Sequence, residues 1–281
     1  MRNKWLMKII IYLIFIGVVI CTAEVDWAQE NASAGFTFRL VWLIILTALG
    51  VILPIMFMYV AGNEVKERNP SEKKWFGIAL ILFLIGNSIP IVFYMVLGQP
   101  PGFFIFLLLC LFGLVPAFII QPKDFKKRCV ILIVISSMVL IPLSIFVSLE
   151  IDNIWASPLP NPDNSVYYML FWGLFCVFYY LFLAMGWKFG GGSRRDSWNI
   201  YVAGAIVQFS ALEDFLFFLL NGAALPGSWP WLENFVIDLK ALFGHVPTDL
   251  DLLIFCIIMN IIALFILFDV HGKIYDKIKQ N

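Results

Sequence analysis

The sequence predicts an all-α fold, a polytopic integral membrane bundle of about eight transmembrane helices, and three observations carry that prediction. Of the 281 residues, 62% are hydrophobic and 14% charged, whereas a soluble domain carries roughly 45–50% apolar and about 25% charged residues. The apolar residues gather into eight runs, each close to the ~20 residues a helix needs to cross the hydrocarbon core. The basic residues, finally, are segregated by side. With net charge +0 and this apolar content, a soluble enzyme, a disordered chain and a nucleic-acid binder are all excluded as classes.

The runs are 5–23, 37–62, 75–97, 102–121, 129–149, 165–187, 199–221 and 249–270. In lipid a spanning segment must satisfy its own backbone hydrogen bonds, so each run is read as a helix. Pro54, Pro90, Pro116 and Pro142 fall inside runs and predict kinks. Short connections rich in Pro, Gly, Asn and charge separate them. No internal repeat or low-complexity segment interrupts what reads as one transmembrane domain, 1–281.

Alternate connections carry the cations. Arg2, Lys4 and Lys8; Lys66, Arg68, Lys73 and Lys74; Lys123, Lys126, Lys127 and Arg128; Lys188, Arg194 and Arg195; and Lys273, Lys277 and Lys279 make seventeen of the nineteen Lys and Arg. Arg39 and Lys240 alone fall on the opposite side. Because cytoplasmic loops are enriched in Lys and Arg, the expectation is a multi-pass cell-membrane protein with both termini cytoplasmic.

The first run also has the outline of a signal peptide. A basic MRNKWLMK precedes the apolar Ile9 to Ile20, and Cys21-Thr22-Ala23 supplies small residues before Glu24. Cleavage there leaves seven spans and the same topology downstream; an uncleaved anchor is expected. Asn31-Ala32-Ser33 is a glycosylation sequon on the outer side. The cysteines, Cys21, Cys110, Cys129, Cys176 and Cys256, sit in or beside apolar runs without a CxxC. They read as small hydrophobes, not as a disulfide framework.

Glu213 and Asp214 are the acidic residues expected well inside a span. They lie in the seventh run, about two turns or roughly 12 Å from its outer end. At 100° per residue Ser210, Glu213, Asp214, Phe217 and Asn221 share one face, while Gln208, Leu212, Phe215 and Leu219 point largely the other way. Insertion of such a residue mid-span costs roughly 2.5–3.5 kcal/mol, so the stripe should face a protein interior or a water-filled cavity. Adjacent carboxylates suit general acid chemistry, proton relay or cation binding. The structural alternative is a pair hydrogen-bonded to neighbouring helices that orders packing alone. Glu213 and Asp214 are therefore the expected catalytic residues, with Ser210, Phe217 and Asn221 on the same face as substrate contacts.

The last outer connection, 222–248, is the second informative stretch. Leu232, Phe235, Val236, Leu239, Leu242 and Phe243 recur at helical spacing and predict an amphipathic interfacial helix over 230–243. Trp229 and Trp231 suit the headgroup level, and Gly244 is a natural C-cap. His245 follows and is expected to join the substrate contacts. His245, Glu213, Asp214 and Asp249 form a set from which a metal or proton site can be assembled, but no HExxH or comparable spacing supports it. Neither a metal nor a cofactor is expected. Thr248 and Asp251 have capping-box spacing at the start of the last span.

The remaining features are weaker. Phe171, Phe175, Phe178 and Phe182 form an aromatic stripe in the sixth run, of the kind that serves packing or lipid contact more often than a pocket. Gly190-Gly191-Gly192-Ser193-Arg194-Arg195 lacks the Lys-Ser/Thr of a Walker loop and reads as a cytoplasmic turn near anionic lipid.

Leu212-Glu213-Asp214-Phe215-Leu216-Phe217-Phe218 resembles the acidic-pair-then-Phe-Phe segment of the membrane-embedded lycopene cyclase domains. That resemblance implies acid-initiated cyclisation of a carotenoid end group, with Glu213 and Asp214 as the acid and its partner and aromatic helices flanking the polyene. It covers seven residues. Ala211 stands where that family typically has Pro, and one copy is present of a motif that there usually occurs in two halves.

Three readings follow. The first is a membrane-embedded acid–base enzyme on a lipid or isoprenoid, with Glu213 and Asp214 in a pocket bordered by aromatic side chains. The second is a proton- or cation-coupled transporter using the same pair, against which the missing repeat counts. The third is a non-catalytic assembly or sensing protein. The enzyme is the expectation, its partners being membrane lipid and a hydrophobic small molecule rather than nucleic acid.

Overall fold

The computed structural model describes residues 4–30, 35–61, 125–156, 169–232 and 239–280, and every regular element among them is helical. Among these residues, four helices are long and apolar enough to cross a membrane: Trp5–Ala28, Leu40–Ala61, Lys126–Ile145 and Asp249–Leu267. They coincide with the first, second, fifth and eighth runs. The runs expected over 75–97 and 102–121, with Pro90 and Pro116, lie outside the described residues. The chain divides into two compact units, Phe36–Tyr201 and Met1–Gly35 together with Val202–Asn281.

The unit Phe36–Tyr201 is organised by α2 (Gly35–Ala61), α3 (Phe125–Ala156) and the sixth run. That run is a π-helical stretch, Met169–Cys176, continuing into α4, Val177–Phe189. Every residue of α4 is buried, as befits a helix that is apolar all round. Gly186 and Gly190 let α2 approach α4 backbone to backbone: a Cβ on Gly186 would collide with the Pro54 carbonyl, and one on Gly190 with that of Met58. Small residues four apart serve this purpose in membrane helices, where van der Waals contact replaces the hydrophobic effect as the packing force. A second close approach places Gly50 of α2 against Leu140 of α3 and Tyr179 of α4. Nearby, the Thr47 and Ser144 hydroxyls meet at 2.5 Å across α2 and α3. At the far end the buried Arg128 guanidinium donates to the Phe189 carbonyl, closing the C-terminus of α4. The aromatic stripe of the sixth run is thus core: Phe171 and Phe175 stack at 5.8 Å, Phe178 and Phe182 at 6.1 Å, and all four are buried.

These contacts also fix directions. Residues 50, 54 and 58 of α2 meet 179, 186 and 190, so α2 and α4 run parallel. Residues 47 and 50 meet 144 and 140, so α2 and α3 run antiparallel.

In the other unit α1 spans Lys4–Glu30, a turn or more beyond the end at 23 that its hydropathy predicts. The extension carries Glu24 and the buried Asp26. Glu213 and Asp214 are therefore not alone as acidic residues within spanning helices. The seventh run, expected as one helix over 199–221, is broken. It consists of α5 (Arg194–Gln208) and α6 (Leu212–Leu220), bent by 51° at the break. No proline or glycine marks the spot; Ala211 takes the left-handed conformation with φ 63°, and α-helical hydrogen bonding cannot continue through it. The connection 222–248 forms a 3-10 turn at Pro230–Leu232 and α7, Leu239–Phe243, while residues 233–238 of the predicted amphipathic helix lie outside the described residues. Then come α8, Asp249–Leu267, and α9, Val270–Gln280.

Here too the contacts give directions. Thr22 and Trp27 of α1 meet Gln208 and Phe217, so α1 and the broken helix rise together. Trp5 and Tyr12 meet Phe268 and Asn260, so α1 and α8 are antiparallel.

Candidate functional site

The break between α5 and α6 places the two carboxylates differently from a regular helix. With Ala211 as N-cap, Glu213 and Asp214 occupy the first turn of α6. Carboxylates are favoured there by the partial positive charge of the helix N-terminus, by about 0.3–1 kcal/mol each. That offsets only part of the cost of carrying them into apolar surroundings. Glu213 is 6% exposed and Asp214 is half-buried.

Around the break runs a polar network that crosses three helices. Ser210, in the break itself, is fully buried, and its hydroxyl donates to the Val207 carbonyl at 2.8 Å. The same Oγ accepts from Asn260 Nδ2 of α8 at 3.0 Å. Asn260 Oδ1 in turn accepts from the Tyr12 hydroxyl of α1 at 2.8 Å. Asn260 Nδ2 also reaches the Cys256 carbonyl at 2.8 Å. Immediately before the break, buried Gln208 donates to the Thr22 hydroxyl at 3.0 Å. Gln208, which regular geometry turns away from the stripe, is therefore an interior residue.

Aromatic rings enclose α6 on two sides. Phe217 meets Trp27 of α1 edge-on at 4.9 Å. Phe215 and Phe218 meet Trp229 at 5.5 and 5.4 Å. Trp229, which the sequence reading assigns to the headgroup level, is wholly buried in a cluster with Ala211, Phe215, Leu232, Leu239, Leu252 and Phe255. Asp249 holds it there, accepting from Trp229 Nε1 at 2.7 Å and from the Gly227 amide at 3.1 Å. The Trp229 amide donates to the Pro247 carbonyl at 2.9 Å. The 222–248 connection is thereby tied down onto α6 and α8.

The expected substrate contacts separate into two groups. Ser210 and Phe217 stand with the carboxylates, at the break and on the α1-facing side of α6. Asn221 closes the opposite end of α6, its Nδ2 donating to the Phe217 carbonyl at 3.0 Å. His245 is exposed, with Nδ1 at 2.8 Å from the Val246 carbonyl and 3.7 Å from Asp251. Among the described residues no group of three or more His, Cys, Asp or Glu is placed to hold a metal. Asp251 instead completes the capping box with Thr248 that its spacing predicts, and Gly244 ends α7 with φ 78°. Four of the five cysteines are free thiols in the described residues.

Three contributors escape a reading of the seventh run alone: Tyr12, Thr22 and Asn260. A lone Asn, Thr or Tyr in an apolar run is common. What would have flagged them is that each is a polar residue within a span, where unsatisfied hydrogen-bonding groups are costly. Comparison with family models, with curated proteins and with solved structures gives no match for this chain.

Proposed function

We propose that this chain is an eight-span cell-membrane protein with cytoplasmic termini that binds a proton or cation at Glu213 and Asp214 and couples it to transport. The observation that carries the reading is the interruption of a spanning helix at Phe209–Ala211, immediately before two carboxylates and inside a buried polar network. Broken spans bring backbone groups and helix ends to the membrane interior, and secondary transporters build ion sites from them. The missing repeat weighs the other way, yet it is a statement about ancestry, whereas the break acts at the site itself. The packing directions agree with the alternation of that topology. Alternation makes the first helix parallel to the seventh and antiparallel to the eighth, and the second antiparallel to the fifth and parallel to the sixth. Those are the directions of the described contacts.

The test is cation binding by the purified chain in lipid nanodiscs. Sodium chloride is titrated against choline chloride, and proton uptake is followed in weakly buffered solution. The reading expects one cation to bind at a site that Glu213→Gln and Asp214→Asn abolish while the melting profile is kept. Sodium and proton responses that the variants share with the wild type would overturn it.

A second reading is favoured by the rings around α6. Trp27, Phe215, Phe217, Phe218 and Trp229 are suited to an apolar substrate beside an acid, which is what the lycopene-cyclase-like segment implies. Lipid extracts of cells expressing wild type or Glu213→Gln, compared by mass spectrometry with an empty vector, test it. A lipid or carotenoid species changed by wild type alone supports an enzyme; extracts identical in all three remove it for the lipids of that host.

A further inference from the structure

The C-terminal helix α9 follows α8 after one break, at Asp269, whose φ is 57°. The break lies at the edge of the apolar region. Phe268, the last residue before it, meets Trp5 at 4.8 Å, and tryptophan is enriched at the membrane–water interface. From that level α9 runs eleven residues, VHGKIYDKIKQ. Ile274 and Ile278 are four apart and Tyr275 stands beside them, so they form one stripe. Ile274, Tyr275 and Ile278 are 50%, 64% and 69% exposed, uncovered by the other described residues. The segment also carries three lysines, at 273, 277 and 279, against one acid, Asp276.

An apolar stripe on a short cationic helix, continuous with a lipid-facing span, is complementary to one surface in particular. We propose that Val270–Gln280 lies in the headgroup layer of an anionic leaflet, with Ile274 and Ile278 in the acyl boundary and the lysines among phosphates. The preceding helix α8 also exposes apolar residues, among them Ile258, Ile261, Ile262 and Phe265, as a helix that faces lipid does. Amphipathic helices bind this way through apolar area and attraction to anionic lipid together, and each lysine near such a surface adds about fivefold in affinity.

The test is hydrogen–deuterium exchange of the full chain in nanodiscs of phosphatidylcholine alone or with phosphatidylglycerol. Residues 270–280 are expected to exchange at least tenfold more slowly in the anionic discs. Lys273→Gln/Lys277→Gln/Lys279→Gln should erase that difference. Ile274→Ser/Ile278→Ser should speed exchange in both discs, and α8 should be unchanged throughout to show that the span is folded. Equal exchange in the two lipids, or a difference that the lysine variant retains, would overturn the proposal. So would a loss of protection that appears only on dilution of the protein, since that marks a second copy of the chain as the occupant.

Discussion

Gly186→Ala tests whether the approach of α2 and α4 is as close as the contacts state. A Cβ built at Gly186 would lie 2.7 Å from the Pro54 carbonyl carbon and 2.9 Å from its Cα, besides colliding with the carbonyl oxygen. Ordinary contact needs about 3.5 Å or more, so α2 and α4 must separate by close to 1 Å. The obstacle is backbone, which cannot rotate aside as a side chain can. Such overpacking costs typically 1–3 kcal/mol, and the upper end applies because the Gly190 contact with Met58, one turn on, opens with it. Helix propensity returns about 1 kcal/mol when Ala replaces Gly, leaving a net loss of about 2 kcal/mol. Gly17→Ala is the control: it is also a helical glycine, but nothing lies within 4 Å of its Cβ position. It should be neutral or stabilising by up to about 1 kcal/mol. Thermal unfolding of the purified protein in detergent reads both, with Gly186→Ala expected to melt roughly 5 °C below wild type. If Gly186→Ala melts with or above Gly17→Ala, the close approach and its role in the unit are refuted.

Other expectations concern the second unit. Asn260→Leu removes the links to Tyr12 and Ser210, and at about 0.6 kcal/mol per interhelical bond in a membrane it should cost roughly 1–2 kcal/mol by the same melting assay. Ala211→Gly relieves a left-handed alanine, worth about 1–2 kcal/mol, less the entropy of the added glycine, and should raise stability by up to about 1 kcal/mol. Ala211→Pro should fail to fold, because a pyrrolidine ring fixes φ near −65°. Trp229→Phe keeps the packing but loses the bond to Asp249, so it should cost roughly 1–3 kcal/mol and speed limited proteolysis of the 222–248 connection. Thr248→Ala removes the capping box, at about 1 kcal/mol, without changing proteolysis of that loop.

Some of the site was legible in the sequence because its signals are local. The capping box at Thr248 and Asp251 and the helix end at Gly244 depend on a few adjacent residues, and they are found where spacing puts them. The carboxylates at Glu213 and Asp214 stood out because charge in an apolar run is expensive wherever the run folds. What went unread depends on distant partners. Gln208 looked outward by helical periodicity, but the period lapses at Ala211, and an alanine carries no mark of a left-handed turn. Trp229 has the composition of an interfacial anchor and becomes core because Asp249, twenty residues on, accepts its indole N–H.

Sequence alone determined that this is a helical chain built for a bilayer, since hydropathy and charge asymmetry are sums over residues that need no partner. Tertiary structure alone decided where a span breaks, which polar residues meet inside it, and why Gly186 and Gly190 must lack side chains. Those outcomes turn on contacts between helices far apart in sequence, where the energy lies in packing and hydrogen-bond geometry rather than in any residue's own preference.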